Sequence, residues 1–414
     1  MDMKVVRSAV NGSITPPSSK SYAQRALAIA LLSQGESTIT NIEMCNDTLA
    51  AMSCIEALGA KVTKIDETTL KVEGGMSANG GVLNIGESGL SSRIFTPLAS
   101  LSSSAITIEG HGSILTRPMD LMLNPLKELG VKIESNNGYL PITVSGPIEG
   151  GEVNVDGSLS SQFLTGLLIA LPSANKDTTI HVDRAVSKPY IDMTIDCLQS
   201  FGVEVKHTAY QEFEVKAPQQ YRATSYQVEG DWSAASTLLV AGAIAGSVRL
   251  ENLSRSSKQA DVAICDAIIS AGAHLQERDG GIEVSKSSLK GFSFDATQCP
   301  DLFPALVALA AACQGESRIS GAERLVHKES HRGLTLQAEY AKLGIEIGFE
   351  GEDIMVVKGG EMSGGRVYSH NDHRIAMSLA VAALIAKEDI IIEGAECVAK
   401  SYPNFYDDLF SIMK

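Results

Sequence analysis

The stretch MLNPLKELGVKI, from Met122 to Ile133, decides the fold of this chain. Its apolar residues up to Leu129 fall at helical spacing, and Gly130 follows them at the position of a helix C-cap. Val131-Lys132-Ile133 then alternates between apolar and polar side chains, as in a half-buried strand. The stretch therefore predicts a helix that ends at Gly130 and leads directly into a strand.

Two markers recur along the chain with the same period. A glycine followed by aliphatic, polar and aliphatic residues occurs at Gly59, Gly130, Gly202, Gly272 and Gly344. A short polar motif opens an Ala/Leu-rich apolar helix at Lys20, Gly89, Ser160, Asp231, Asp301 and Asp372, in steps of 69, 71, 71, 70 and 71 residues. Helices that are apolar on nearly every face belong inside a core. We therefore predict an α/β fold, a two-lobed inside-out α/β barrel built from six β-α-β-α-β-β repeats, three per lobe.

Composition restricts the class of protein. A chain of 414 residues is too long for a single core, and two lobes fit the usual domain size. The net charge of −15 argues against a nucleic-acid partner, because phosphate binding needs a basic face. Seven cysteines without paired spacing indicate a reducing compartment, the N-terminus from Met1 to Lys20 has no apolar signal core, and no apolar run reaches the length of a membrane span. We expect a cytoplasmic monomer without a membrane partner.

The polar openings predict an anion site. The N-terminus of a buried helix presents unpaired N–H groups and a positive dipole end, which repels the cations Lys20 and Arg25 unless an anion joins them. Arg374 opens another such helix. The cations, together with the carboxylates of Asp301 and Glu329, suit anionic substrates and acid/base chemistry without a metal or a cofactor. From the residues alone, helix capping remains an alternative for Ser160 and Asp301. A solvated face equally explains the charged run at 328–332.

Seven motifs in chain order carry a resemblance to a known family. They are Ser19-Lys20-Ser21 with Arg25, Arg117-Pro118, Asp156-Gly157-Ser158 with Ser160-Ser161-Gln162-Phe163, Ser187-Lys188-Pro189-Tyr190-Ile191-Asp192, Glu229-Gly230-Asp231, Lys328-Glu329 with Arg332, and Asn371-Asp372-His373-Arg374-Ile375-Ala376-Met377. The set closely resembles the 5-enolpyruvylshikimate-3-phosphate synthase (3-phosphoshikimate 1-carboxyvinyltransferase) family over essentially the whole chain. The resemblance implies one lobe from 19–227 that binds mainly shikimate 3-phosphate. A second lobe, 1–18 plus 228–414, would supply the catalytic carboxylates and cations for phosphoenolpyruvate, with the active site in the cleft between the lobes.

The resemblance also implies an activity and a role for each site residue. The family transfers the enolpyruvyl group of phosphoenolpyruvate to the 5-hydroxyl of shikimate 3-phosphate in the shikimate pathway of aromatic amino acid biosynthesis, and it needs no metal. The residues implied for shikimate 3-phosphate are Lys20, Ser21, Arg25, Ser160, Ser161, Gln162, Ser187, Tyr190, Asp301 and Lys328. Those implied for phosphoenolpyruvate are Lys20, Gly89, Arg117, Gln162, Arg332, Arg374 and Lys400. Asp301 would take the proton of the 5-hydroxyl, and Glu329 with Lys20 would protonate the methylene carbon.

The chain departs from the family at the second opening. The family usually reads Gly-Asn-Ala-Gly-Thr where this chain has Gly86-Glu87-Ser88-Gly89-Leu90. A carboxylate near an anionic substrate is unfavourable unless a cation pairs with it, so we expect Arg93 or Lys20 to pair with Glu87. We expect Leu90 and Ile94 to crowd Gly89 and to weaken binding of glyphosate, the family's inhibitor, more than binding of phosphoenolpyruvate. His331 also stands where the family usually has Asp.

Two alternatives remain at this point. The UDP-N-acetylglucosamine enolpyruvyl transferase shares the fold, but its loop carries a Cys shortly before Arg-Pro, and 111–116 contains none. A non-catalytic anion-binding repeat protein would lack Asp301, Glu329 or Lys20, and all three are present.

Overall fold

The structure is a computed structural model that describes residues 1–278, 280–326 and 328–414. The α-helices are α1 (Lys20–Leu32), α2 (Asn46–Ala57), α3 (Gly89–Ala99), α4 (Leu123–Glu128), α5 (Gln162–Ala170), α6 (Lys188–Ser200), α7 (Trp232–Ala245), α8 (Ile264–Ala271), α9 (Phe303–Ala311), α10 (Arg332–Lys342), α11 (His373–Ala383) and α12 (Phe405–Ser411). The strands are β1 (Asp2–Val5), β2 (Val10–Ile14), β3 (Glu36–Thr40), β4 (Lys61–Lys64), β5 (Leu70–Glu73), β6 (Gly81–Asn84), β7 (Ile106–Glu109), β8 (Lys132–Asn136), β9 (Tyr139–Ser145), β10 (Gly151–Asp156), β11 (Thr178–Asp183), β12 (Val205–Thr208), β13 (Glu212–Val215), β14 (Ser225–Gln227), β15 (Gly246–Glu251), β16 (His274–Arg278), β17 (Gly281–Ser285), β18 (Ser293–Asp295), β19 (Gly315–Ser320), β20 (Glu346–Glu350), β21 (Ile354–Gly359), β22 (Gly365–Tyr368) and β23 (Ile390–Glu393).

The chain forms two compact units. One, here called the 18–229 unit, runs from Ser18 to Glu229, and the other, the 230–414 unit, joins Met1–Pro17 to Gly230–Lys414. Each unit has its own hydrophobic core. The Ala/Leu-rich helices α1, α3 and α5 are buried along most of their length in the first unit, as are α7, α9 and α11 in the second. The prediction that these apolar helices are buried is therefore confirmed.

Mixed sheets of three or four strands accompany these helices in both units. The four-stranded sheets of the 18–229 unit are β14-β3-β5-β4, β6-β7-β9-β8 and β10-β11-β13-β12. In each, the first pair is parallel and the next two pairs are antiparallel. In the 230–414 unit, β18-β19-β21-β20 and β2-β15-β17-β16 repeat this pattern, and β22-β23-β1 is a shorter version of it. The α/β class with mixed sheets is confirmed.

The recurring glycines end helices as predicted. Gly59, Gly130, Gly202, Gly272 and Gly344 all have positive φ, between 80° and 116°. This left-handed region suits glycine because it has no Cβ. The strands β4, β8, β12, β16 and β20 begin within a few residues of these glycines. In the described ranges, no helix is long and apolar enough to span a bilayer.

Candidate active site

Arg332, the first residue of α10, lies at the centre of a group of charged side chains in the 230–414 unit. Its side chain has no exposed surface. Its Nη1 donates to Asp301 Oδ1 at 2.8 Å and its Nη2 to Glu329 Oε2 at 2.5 Å. Nε donates to Asp372 Oδ2, also at 2.8 Å. Burial opposes the charge of Arg332, but the three carboxylates outweigh it and raise the pKa of the guanidinium well above its usual value.

Asp301 lies in the short 3-10 turn that leads into α9. Besides Arg332, its carboxylate meets Lys328 Nζ at 3.1 Å and Arg374 Nη2 at 3.6 Å. Burial opposes ionisation of Asp301, but the charges of Lys328, Arg374 and Arg332 outweigh it and hold its pKa well below the usual range. Within the described residues, no side chain of this turn caps α9, so the capping alternative for Asp301 is wrong.

Asp372 is a member of this group whose contacts the sequence did not reveal, because the sequence marks it only as a helix opening within its motif. Its side chain is fully buried. Besides the hydrogen bond from Arg332, it accepts one from Ser330 Oγ at 3.1 Å. Its Oδ1 accepts the backbone N–H of Arg374 at 3.1 Å and thereby caps α11. One carboxylate thus joins the beginnings of α10 and α11. The preceding residue, Asn371, accepts a 2.7 Å hydrogen bond from Lys400 Nζ at its carbonyl.

Asp261 is a second residue that sequence analysis missed. It is almost completely buried, and its Oδ2 accepts the hydroxyl of Ser233. Its Oδ1 has no hydrogen-bond partner among the described residues. Burial, and then the charge of Asp301, raise the pKa of Asp261 to about 7.

Arg25 is a buried cation of the 18–229 unit. Nε donates to Thr194 Oγ1 at 2.9 Å, and Nη1 donates to the carbonyl of Ser21 at 2.8 Å. Nη2 donates to Thr165 Oγ1 at 3.3 Å and to the carbonyl of Tyr190 at 3.1 Å. Among the described residues these partners are all neutral, and burial lowers the pKa of Arg25. The arrangement leaves a positive charge that an anion can neutralise.

Lys20 opens α1, and its Nζ donates to Asp47 Oδ2 at 2.9 Å. The two side chains are only 13% and 12% exposed. Asp47, in the first turn of α2, is a third residue that sequence analysis missed. The signal was weak, since an acidic residue in a first helical turn is ordinary.

The serines predicted for shikimate 3-phosphate lie at three helix beginnings, with Ser21 in the first turn of α1. Ser160 Oγ accepts the backbone N–H of Gln162 at 3.1 Å, and Ser161 is the N-cap residue of α5. Gln162 Oε1 is buried without a hydrogen-bond partner in the described part of the chain. Ser187 precedes α6 with φ 54°. Tyr190, in the first turn of α6, contacts Arg25 through its carbonyl. The capping alternative for Ser160 therefore has a basis in the structure.

The second opening brings Gly89 and Arg117 together. A Cβ built on Gly89 would lie 2.2 Å from Arg117 Nη1, so the guanidinium packs against the glycine backbone. Arg117 Nε is buried and has no hydrogen-bond partner among the described residues. A buried donor without a partner is unusual in a folded protein, which makes this N–H a candidate contact for an anionic ligand.

Two expectations about this opening have different outcomes. Glu87 Oε2 accepts both the N–H and the hydroxyl of Ser113, each at 2.9 Å. Arg93 donates to the carbonyls of Gly89 and Pro118 and to Ser92 Oγ, and burial lowers its pKa. Among the described residues, the predicted pairing of Glu87 with Arg93 is therefore wrong, because the Arg93 donors face backbone carbonyls. Leu90 and Ile94 are buried, and their effect on glyphosate stays a prediction.

His331, for which the sequence suggested no role, is the N-cap residue of α10. Its Nδ1 accepts the backbone N–H of Leu334 at 3.4 Å. The imidazole thus takes a position that Asp commonly fills at helix beginnings. In the described ranges, no group of three or more His, Cys, Asp and Glu residues could hold a metal ion.

Comparisons with known proteins agree on one family. The family model described as EPSP synthase (3-phosphoshikimate 1-carboxyvinyltransferase) matches residues 6–409. The 3-phosphoshikimate 1-carboxyvinyltransferase of Clostridium novyi (strain NT) is 38% identical over 419 residues, covering 98% of this chain and 96% of that protein. The enzyme of the same name from Methanocorpusculum labreanum is 37% identical over 414 residues, covering 99% and 98%.

A solved structure is also similar over the whole chain. EPSP synthase from Acinetobacter baumannii superimposes with a TM-score of 0.85 at 26% identity, covering 100% of this chain and 98% of that one. The family match and the full-length relatives lead to one conclusion: the chain belongs to the EPSP synthase (3-phosphoshikimate 1-carboxyvinyltransferase) family.

Proposed function

We infer that the protein transfers the enolpyruvyl group of phosphoenolpyruvate to the 5-hydroxyl of shikimate 3-phosphate, giving 5-enolpyruvylshikimate 3-phosphate and phosphate. The observation that carries this function is Asp301, a carboxylate held among Lys328, Arg332 and Arg374. A base surrounded by cations suits proton removal beside anionic substrates. The two relatives named 3-phosphoshikimate 1-carboxyvinyltransferase align with 98% and 99% of this chain.

The chemistry balances with two acid/base groups. In the addition step, a bond forms between the 5-oxygen and C2 of phosphoenolpyruvate, Asp301 accepts the hydroxyl proton, and Glu329 with Lys20 supplies a proton to C3. In the elimination step, C3 returns a proton to Glu329 with Lys20, the bond between C2 and the phosphate oxygen breaks, and phosphate leaves with the proton that Asp301 had accepted. In the ligand-free protein, the three cations hold the pKa of Asp301 low. Substrate anions that engage these cations would raise that pKa and make Asp301 a stronger base.

We assign binding residues to each of the two substrates. Shikimate 3-phosphate is bound mainly by residues of the 18–229 unit, and Arg25 supports this because its described partners are neutral. For phosphoenolpyruvate we assign Arg117, Gln162, Arg332, Arg374 and Lys400. Arg117 Nε supports this assignment because, within the described chain, it is a buried donor without a hydrogen-bond partner.

The finer architecture that we propose is six β-α-β-α-β-β repeats, three per unit, with helices inside and sheets outside. The shared pairing pattern of the sheets supports it, as do the positive φ angles of the five recurring glycines. We further propose a cytoplasmic monomer that binds neither nucleic acid nor membranes. Seven free cysteines, all buried, and a net charge of −15 support the compartment and the absence of a nucleic-acid partner.

The test is phosphate release from phosphoenolpyruvate by the purified full-length protein. Shikimate 3-phosphate is the acceptor in one arm and UDP-N-acetylglucosamine in the other, with no metal added. We expect release only with shikimate 3-phosphate, and we expect Asp301→Asn to lower kcat by about 10²- to 10⁴-fold, the usual contribution of a general base. Folded protein that releases no phosphate, or releases it only with the nucleotide sugar, contradicts the proposal.

A further inference from the structure

Glu87 connects the second polar opening to the segment that ends at Arg117. Its Oε2 receives two hydrogen bonds from Ser113, one from the backbone N–H and one from the hydroxyl, both at 2.9 Å. Ser113 lies in the 3-10 helix Gly112–Thr116, and Arg117 is the residue that directly follows this helix. The carboxylate also packs on the backbone of Gly112, where an added Cβ would lie 2.4 Å from Oε2. The turn is therefore fitted closely around the Glu87 side chain.

Gly89 and Arg93, in the first turns of α3, contact the other end of this segment, at Arg117 and Pro118. The guanidinium of Arg117 packs against Gly89, two residues after Glu87. Arg93 donates at once to the carbonyl of Gly89 at 2.9 Å and to the carbonyl of Pro118 at 3.0 Å. Residues 87–93 thus contact the segment 112–118 at its beginning, at Arg117 and just after it.

We propose that Glu87 is a positioning residue that holds Arg117 in the orientation in which it binds phosphoenolpyruvate. The inference rests on the proposed function, since it takes Arg117 as a ligand of that substrate. The effect is indirect: Glu87 fixes Ser113, the 3-10 helix carries this restraint to Arg117, and Gly89 leaves room for the guanidinium. A hydrogen bond to a charged group is stronger than one between neutral groups, so a carboxylate restrains this turn better than an amide.

A competing view is that Glu87 acts through its charge and repels the anionic substrate. The two views differ in sign. If repulsion dominates, Glu87→Gln lowers the KM for phosphoenolpyruvate because it removes a negative charge. If positioning dominates, Glu87→Gln raises that KM, and Glu87→Ala raises it further because no acceptor remains for Ser113.

The experiment measures kcat and the KM for both substrates in Glu87→Gln, Glu87→Ala, Ser113→Ala and the Glu87→Ala/Ser113→Ala double variant. For Glu87→Ala we expect the KM for phosphoenolpyruvate to rise about tenfold, as expected from the loss of a charged hydrogen bond, with a smaller rise for Glu87→Gln. The KM for shikimate 3-phosphate should stay unchanged. The double variant should be no worse than Glu87→Ala, because the acceptor of the Ser113 hydroxyl is already missing in that variant.

Two further variants separate the possible failures. Glu109→Gln is the matched control, since Glu109 is an exposed carboxylate on β7 just before the same segment, and its kinetics should equal those of the wild type. Arg117→Ala tests the proposed role of Arg117: an unchanged KM for phosphoenolpyruvate in this variant overturns the ligand assignment. A raised KM in Arg117→Ala with an unchanged or lowered KM in Glu87→Ala, at an unaltered unfolding temperature, overturns the positioning role alone.

Discussion

Arg332 and Asp372 form an ion pair that is closed to water on both sides. Nε lies 2.8 Å from Oδ2, and both side chains are 0% exposed. Because Asp372 also caps α11 through the N–H of Arg374, the pair determines where α10 and α11 begin relative to each other. Arg332 and Arg374, the two guanidinium groups beside Asp301, therefore depend on one buried carboxylate.

The first prediction concerns the stability of this pair. Removing one partner of a buried ion pair leaves an uncompensated charge, so Asp372→Ala should lower the free energy of unfolding by about 3–5 kcal/mol. Urea unfolding measures this directly. The control is Glu361→Ala, which breaks the exposed pair with Lys387 and should leave the free energy of unfolding nearly unchanged. Equal losses in the two variants would show that burial does not govern the Arg332–Asp372 pair.

The second prediction is the pH dependence that Asp301 confers. Its pKa in the folded protein lies well below that of the unfolded chain, because Lys328, Arg374 and Arg332 outweigh the effect of burial. The ionised carboxylate thus contributes stability that is present above about pH 4 and is lost as pH falls towards the folded pKa.

Unfolding free energies of Asp261→Asn and of the Asp261→Asn/Asp301→Asn double variant, measured from pH 7 down to pH 3, test this dependence, because the charge of Asp301 also raises the pKa of Asp261 in the wild type. Their difference should be constant above about pH 5 and change by up to roughly 1.4 kcal/mol per pH unit below about pH 4. A difference that varies instead around neutral pH would contradict the low pKa of Asp301.

The third prediction concerns Asp261, whose effect on the pH dependence of stability is opposite in sign to that of Asp301. Burial and the charge of Asp301 raise its pKa to about 7. The folded state therefore binds the proton more tightly than the unfolded state, and stability falls as pH rises between about pH 4 and the folded pKa. Asp261→Asn cannot titrate, so its stability relative to the wild type should increase over this window, and denaturation at pH 5 and pH 8 measures the change. A relative stability that is the same at both values would contradict the prediction.

Local signals explain what could be predicted from the sequence. Gly130 ends its helix because a left-handed residue is needed there, and this requirement is visible in the few residues around it. The burial of α7 and α9 follows from their largely apolar composition. Asp301, Glu329 and Arg332 are close in the structure, but sequence showed only that two of them are three residues apart.

The partners that could not be predicted lie far apart in the chain. Asp47 is 27 residues from Lys20, and Ser113 is 26 residues from Glu87. Arg93 was a reasonable partner for Glu87 by proximity in sequence, but its guanidinium meets the carbonyls of Gly89 and Pro118. Which donor reaches which acceptor is decided by how loops pack on helix ends, and neither residue spacing nor charge carries that information.

The fourth prediction tests Asp47 as the partner that holds Lys20. The Lys20–Asp47 pair is mostly buried, so Asp47→Asn leaves the ammonium group without this counter-charge. We expect kcat/KM to fall about tenfold, corresponding to the loss of a charge-assisted hydrogen bond. Steady-state kinetics compare this variant with Glu36→Gln, which breaks the exposed pair with Lys71 and should leave the rate unchanged. Wild-type kinetics in Asp47→Asn would mean that Lys20 is held by other contacts.

The fifth prediction uses the close approach of Gly89 and Arg117. A methyl group at Gly89 would lie 2.2 Å from Nη1 and 2.7 Å from the guanidinium carbon, so Gly89→Ala must push the Arg117 side chain aside. Misplacing a substrate-positioning group by about 1 Å can reduce turnover about a hundredfold, so we expect a large loss in kcat/KM for phosphoenolpyruvate. The KM for shikimate 3-phosphate should change little, because Arg25 and its neutral partners lie on other helices. Gly360→Ala is the control, since an added Cβ there meets nothing within 4 Å. The measurement is kcat/KM with each substrate varied in turn. Equal losses of kcat/KM for both substrates would point to a general defect in folding. No loss for either substrate would show that Arg117 can bind its ligand from a displaced position.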